Sequence, residues 1–218
     1  MGTINHHLTD ALLMSYAAGT LDEAFSLVVA THVSMCDECR ARLEAFEAVG
    51  GTLVDECEVI QLSDHALDAT FAMIDKMPEA PDAPWVRERS KDDVFPAPLQ
   101  DYVGGDLDKV KWRSIGGGVM QAVLKTGGSD KVRLLSIPGG TAMPDHGHRG
   151  LELTMVLKGA FEDEDGYFGR GDVEVANQDM HHTPVAVAGE DCICLAATDA
   201  PLRFKGLVPR IAQPFLGI

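Results

Sequence analysis

Five of the eleven prolines fall between Pro78 and Pro98. Proline fixes φ and has no backbone donor, so such a stretch neither continues a helix nor enters a sheet interior. Arg87, Glu88, Arg89, Lys91, Asp92 and Asp93 are interspersed with these prolines. Residues 78–100 are therefore expected to form an exposed linker, with Trp85 as a side chain that could dock on a surface. The linker splits a 218-residue chain into two electrostatically different pieces. Residues 1–80 carry three basic and fourteen acidic side chains, a net of −11, while the remainder nets only −5 of the total −16. That sign argues against direct nucleic-acid binding, which needs clustered cations, and suits a partner that is itself basic. Hydrophobic residues at 45% exclude a wholly disordered chain. No apolar run approaches the ~18 residues of a membrane span. The opening MGTINHHLTD has no basic region followed by an apolar stretch, so a cytoplasmic location is expected.

Before the linker, apolar residues recur at three- and four-residue spacing. Thr9 is placed to cap a first helix carrying Leu12, Leu13 and Tyr16, stopped by Gly19. Thr20 and Glu23 form a capping-box pair opening a second helix through Phe25, Leu27, Val28 and Val29. A third helix is expected over Arg40–Val49, ended by Gly50-Gly51. A fourth follows Ser63 with a stripe of Ala66, Leu67, Phe71, Ile74 and Met77. Four short helices in about 80 residues make a marginal core, which calls for a staple.

His32, Cys36 and Cys39 supply one. His32 and Cys36 are four apart, on one helix face, and Cys39 follows in C-x-x-C spacing. Two thiolates with imidazole suit tetrahedral Zn²⁺, and a closed structural site needs a fourth ligand, for which His6 and His7 are the nearby candidates. The alternatives are a reduced dithiol beside an unrelated histidine, or a redox pair whose oxidation would expel the metal. Cys57 lies outside this cluster and reads as a packing residue or an incidental thiol. The pattern His-x-x-x-Cys-x-x-Cys within residues 5–77 resembles the zinc-binding anti-sigma family. In that family a histidine just ahead of the first helix is the fourth ligand, which implies His7 rather than His6.

After the linker the pattern changes to short period-two runs bounded by glycine. Expected strands are 111–115, 118–126, 131–137, 151–157, 172–176, 182–187, 192–196 and 201–205, which argue for a jelly-roll sandwich or barrel. Within it, Gly140, His146, His148, Glu152 and Gly159 match the first cupin motif, G-x5-H-x-H-x3-E-x6-G. The even spacing of His146, His148 and Glu152 turns all three to one side of an extended chain. Gly171, Asn177, Asp179 and His182 keep the spacing of the second cupin motif, with Asn and Asp in place of Pro and Gly and with Ala186 where that motif closes on Asn. His182 is thus the expected fourth ligand. Three imidazoles and a carboxylate suit Zn²⁺, Fe²⁺, Mn²⁺ and Ni²⁺ alike; Zn²⁺ is the ion expected here. Cys192 and Cys194 share a strand face and read as buried thiols, with a redox role as the sharper alternative.

The expected fold class is therefore α+β. A zinc-binding helical domain (1–77) is joined by the linker (78–100) to a cupin, a jelly-roll β-barrel (101–218). The two halves together resemble the ChrR-type anti-sigma factors, on the segments DALLMSYAAGTL, AFSLVVATH, PDHGHRGLELT and DCICLAATDAPLRF. That resemblance implies no enzyme. It implies a regulator whose helices occlude an extracytoplasmic-function sigma factor and whose cupin couples release to photo-oxidative stress, singlet oxygen included. The competing classes are a dioxygenase-like cupin metalloenzyme with an accessory zinc domain and, poorly with −11 on the finger-bearing segment, a zinc-finger DNA binder.

Overall fold

Local capping sets the first element. Thr9 Oγ1 accepts from the Leu12 N–H at 3.3 Å and opens helix α1, Asp10–Ala17, and Gly19 follows at φ +66°. The structure, a computed structural model, describes residues 3–78, 90, 92–178, 180–201 and 203–204. Trp85, Asp179, Lys205 and most of the proline-rich stretch lie outside them.

The expected capping box does not form. The Thr20 hydroxyl donates back to the Ser15 carbonyl at 3.2 Å. The Glu23 carboxylate is taken by the Gly127 N–H and the Tyr102 hydroxyl. Helix α2, Glu23–Val33, therefore opens at Asp22 without a side-chain cap. Helix α3, Asp37–Asp55, runs straight through Gly50-Gly51, because neither glycine takes the left-handed conformation that would end it. Each costs roughly 1 kcal/mol against Ala, which slows a helix but does not stop one. Helix α4, Ala66–Ile74, follows a turn in which the Ala66 N–H reaches the Ser63 carbonyl, and it buries none of its residues.

The end of the expected linker is neither exposed nor irregular. Pro96 caps helix α5, Ala97–Val103, and Phe95, Leu99 and Gln100 are buried. Both Val94 and Phe95 donate their N–H groups to the Asp106 carboxylate, at 2.8 and 3.0 Å.

The remainder is antiparallel. The strands are β1 Arg113–Gly116, β2 Val119–Leu124, β3 Lys131–Ile137, β4 His146–Gly147, β5 Glu152–Lys158, β6 Ala160–Asp163, β7 Gly166–Gly169, β8 Val173–Ala176, β9 His181–His182, β10 Val185–Ala186, β11 Cys192–Thr198 and β12 Arg203–Phe204. Six of them form one sheet in the order β1-β2-β3-β11-β5-β8, and two three-stranded sheets, β10-β6-β7 and β12-β4-β9, complete the β structure. The short β4 and the β6-β7 hairpin were not among the expected strands, and the 182–187 run divides into β9 and β10.

Alternation on the large sheet organises the molecule. Val132, Leu134, Leu153, Met155, Leu157, Ile193, Leu195 and Ala197 join the helical residues Leu13, Phe25, Val28 and Val29 in one buried cluster. The intervening positions, among them Arg133, Leu135, Glu152, Thr154, Cys194, Ala196 and Thr198, line the lumen. Helix α2 thus lies on the outer face of the sheet, against β3, β5 and β11.

Candidate metal centres

The first centre forms where three short segments meet. His32 is on the last turn of α2, Cys36 caps α3, Cys39 lies in its first turn, and His7 comes from the segment before α1. One donor atom from each lies within 4.8 Å of all the others. His7 Nδ1 is 3.3 Å from Cys36 Sγ and 3.7 Å from Cys39 Sγ. Donors on a tetrahedron around Zn²⁺ stand roughly 3.3–3.8 Å apart, given Zn–N of ~2.0 Å and Zn–S of ~2.3 Å, so the spacing fits. His32 Nδ1 is 2.9 Å from the Gly171 carbonyl, which makes it the protonated nitrogen, and the buried Nε2 has no hydrogen-bond partner. An orphaned imidazole lone pair beside two buried thiols is what a resident cation would satisfy.

Burial holds the His32 imidazole down to about 4 and pushes the Cys39 thiol up to about 11. The histidine is therefore a ready neutral ligand, whereas the thiol gives up its proton only to a metal. His6 is not in the group. Its ring packs tilted against Phe168, centroids 4.2 Å apart, and its Nδ1 faces the Asp172 carboxylate at 3.7 Å.

The second centre lies in the β-barrel lumen. His146 Nε2 and His148 Nε2 are 3.1 and 3.2 Å from His182 Nε2, and all three rings are buried. His146 sits opposite His182 in the β4–β9 pair, so strand register itself makes the contact. His146 Nδ1 is 2.9 Å from the Pro144 carbonyl, which turns its Nε2 lone pair inward. Glu152 stands behind His148 instead of among the three Nε2 atoms: its Oε2 is 3.4 Å from His148 Nδ1, and Thr154 donates to its Oε1 at 3.1 Å. Burial would raise the Glu152 carboxyl, but the bond from His148 and the positive surroundings hold it below the usual range.

Two carboxylates absent from the sequence expectations complete the site. Asp163 Oδ2 and Glu174 Oε1 each lie 2.8 Å from His182 Nδ1. Burial opposes a charge on His182, yet these partners raise it to about 9, and burial lifts Glu174 itself to about 7. An imidazole gripped this way presents Nε2 in one orientation, the role outer partners play behind metal ligands. The signal for Glu174 was present in the chain, as a lone charge inside the apolar strand Val-Glu-Val-Ala. Asp163 had none beyond its place before the Asp165-Gly166 turn.

Cys192 and Cys194 are buried, with sulfurs 3.5 Å apart, and hydrogen bonding between the thiols together with burial pushes Cys194 up. Cys57 is exposed.

A profile of the ChrR cupin-like domain matches residues 100–201. Anti-sigma-E factor ChrR of Cereibacter sphaeroides is 60% identical over 216 residues, covering 99% of this chain and all of that protein. The crystal structure of Rhodobacter sphaeroides SigE in complex with the anti-sigma ChrR superposes with a TM-score of 0.79 at 58% identity, over 90% of this chain and 100% of that one. With donor sets in both halves and a relative matched from end to end, the chain belongs to the ChrR family of anti-sigma factors.

Proposed function

We propose that this protein is a cytoplasmic anti-sigma factor that binds and inhibits an extracytoplasmic-function sigma factor. Residues 1–77 form its partner-binding domain, with Zn²⁺ at His7, His32, Cys36 and Cys39. The β domain holds a divalent ion, Zn²⁺ by expectation, on His146, His148 and His182, and Glu152, which stands at His148 Nδ1, joins as the fourth donor by turning its carboxylate from that nitrogen to the ion. It couples release to photo-oxidative stress, singlet oxygen included. The regulator reading, as opposed to a metalloenzyme, rests on the anti-sigma relative that spans the whole chain.

One observation carries the partner reading. The end of α3, helix α4 and the turn after it present Leu53, Val54, Leu67, Phe71, Ile74 and Met77 at 53–71% exposure. An apolar helix face this extended marks a docking surface. It belongs to the segment that carries −11, so its rim suits the basic DNA-binding surface of a sigma factor and would speed encounter with it. The helices act by covering the partner, so inhibition requires no chemical step. When bound, Zn²⁺ at the first centre supplies a fixed crosslink between the α2–α3 turn and the segment before α1. No helix among the described residues is long and apolar enough to cross a membrane.

Co-expression with tagged SigE of Rhodobacter sphaeroides tests the reading. Recovery of a one-to-one complex that no longer supports SigE-dependent transcription is expected. Recovery of SigE alone would contradict it.

A further inference from the structure

Beside the histidine triad the lumen opens into a cavity of about 380 Å³. That is room for roughly a dozen waters, and it lies in the size range of small-molecule sites. Most of its wall is apolar, supplied by Leu135, Ile137, Met143 and Phe161 among others. An apolar lumen of this kind is filled by hydrocarbon more readily than by water.

Arg133 is the side chain that the metal centre does not explain. It lines the cavity from β3 and is only 4% exposed. Its Nη2 donates a long bond, 3.4 Å, to Thr198 Oγ1, while Nε has no partner. The Glu152 carboxylate lines the same cavity and acts on Arg133 by its charge; Thr154 donates to its Oε1, and its Oε2 stands 3.4 Å from His148 Nδ1. A desolvated guanidinium without a bound anion is costly, and five donors in a planar fork match a carboxylate in two parallel hydrogen bonds.

Register fixes where such an anion would sit. Arg133 is opposite Ala196 on β11, Ala196 is opposite Thr154 on β5, and Thr154 is opposite Glu174 on β8. At about 4.8 Å per strand, the guanidinium-bearing strand is about 10 Å from β5, and His146 and His182 line the same cavity. The next lumen-facing positions along β3, Leu135 and Ile137, are apolar. The cavity is therefore amphipathic, with a charged, hydrogen-bonding end where Arg133 shares the wall with Glu152 and Glu174, and a hydrocarbon end.

We propose that this cavity binds a small amphiphilic monocarboxylate, its head group paired with Arg133 and Thr198 and its hydrocarbon body lying on Leu135, Ile137 and Phe161. The ligand site is separate from the exposed helical face. A failed ligand titration leaves sigma binding intact, and a failed sigma pull-down leaves the cavity's chemistry intact.

Calorimetric titration of the full, metal-loaded chain with octanoate, octanol and octylamine reads this out. One octanoate per chain is expected, with octanol and octylamine at least about tenfold weaker, because neither pairs the guanidinium. Arg133→Met should weaken octanoate by at least about tenfold with metal content unchanged. Ala196→Leu keeps the guanidinium but fills the lumen, and should weaken octanoate similarly; it decides the matter together with the head-group series if Arg133→Met does not fold. Octanoate failing to bind the wild type, octylamine binding as tightly as octanoate, or both variants binding octanoate like the wild type would overturn the proposal.

Discussion

His6 and His7 are neighbours in sequence with opposite employment. Alternation in the extended segment before α1 sends His7 toward Cys36 and Cys39 and His6 onto Phe168 and Asp172. His7→Ala is therefore expected to abolish zinc at the first centre, and His6→Ala to retain it at a cost of about 1 kcal/mol in stability. Metal analysis of the two variants, with thermal melts alongside, separates them. The Cys39 thiol, pushed up to about 11, is protonated at neutral pH and must release its proton to bind metal. Affinity should accordingly fall as pH falls, by about tenfold per unit for each proton released, as measured by competition with a chelator between about pH 6 and 8. At the second centre Glu174→Gln leaves the three histidines in place but loosens the grip on His182 Nδ1. It should weaken metal there by roughly 10–100-fold while the first centre keeps its zinc, which site-resolved metal titration would reveal. The sequence made the histidines and cysteines legible because their spacing is a ligand signature. It hid Asp163, because that residue reaches His182 only through strand pairing, and it left Glu152 one nitrogen away from where parity suggested.

Among the elements, α5 shows why punctuation can mislead. Pro96 and Pro98 read as breakers, yet the first turn of a helix has no use for their missing N–H groups, so here they start one. Thr9 capped its helix as expected because the bond is local, three residues long. The Thr20–Glu23 box failed because Glu23 found partners more than seventy residues away, at Tyr102 and Gly127. The loop 169–173 is the element that ties the two halves together. The Gly171 carbonyl holds His32, and a Cβ at Gly171, already at φ +96°, would meet Ile4 Cδ1 at 2.7 Å. Asp172 accepts from the N–H groups of Asn5, His6 and Gly169 at 2.6, 2.9 and 2.8 Å. Three residues beyond Gly171 stands Glu174, behind His182. Asp172→Ala leaves three donors without their acceptor and is expected to lower stability by about 2–4 kcal/mol, measured by denaturant unfolding. A change below about 0.5 kcal/mol would mean the N-terminal segment is held by something else.

At the scale of the molecule, the proline-rich stretch divides the sequence more sharply than it divides the core. Helical Val28 and Val29 and strand residues Leu134, Leu153 and Leu195 share one buried cluster. No periodicity in either half announces this, because helix and strand patterns each show that a face is apolar without showing which other face covers it. What that shared core leaves uncovered is α4, with Leu67, Phe71 and Ile74 all more than half exposed. Substitution at such positions should leave folding nearly untouched, within about 0.5 kcal/mol, and act on binding alone. The direct measurement is the affinity of the zinc-loaded chain for SigE of Rhodobacter sphaeroides, compared with that of Phe71→Asp. The account predicts a one-to-one complex for the wild type and at least about a hundredfold loss for Phe71→Asp, with an unchanged melting temperature and zinc content. Equal affinities for the two proteins, or no complex with the folded, zinc-loaded wild type, would contradict it.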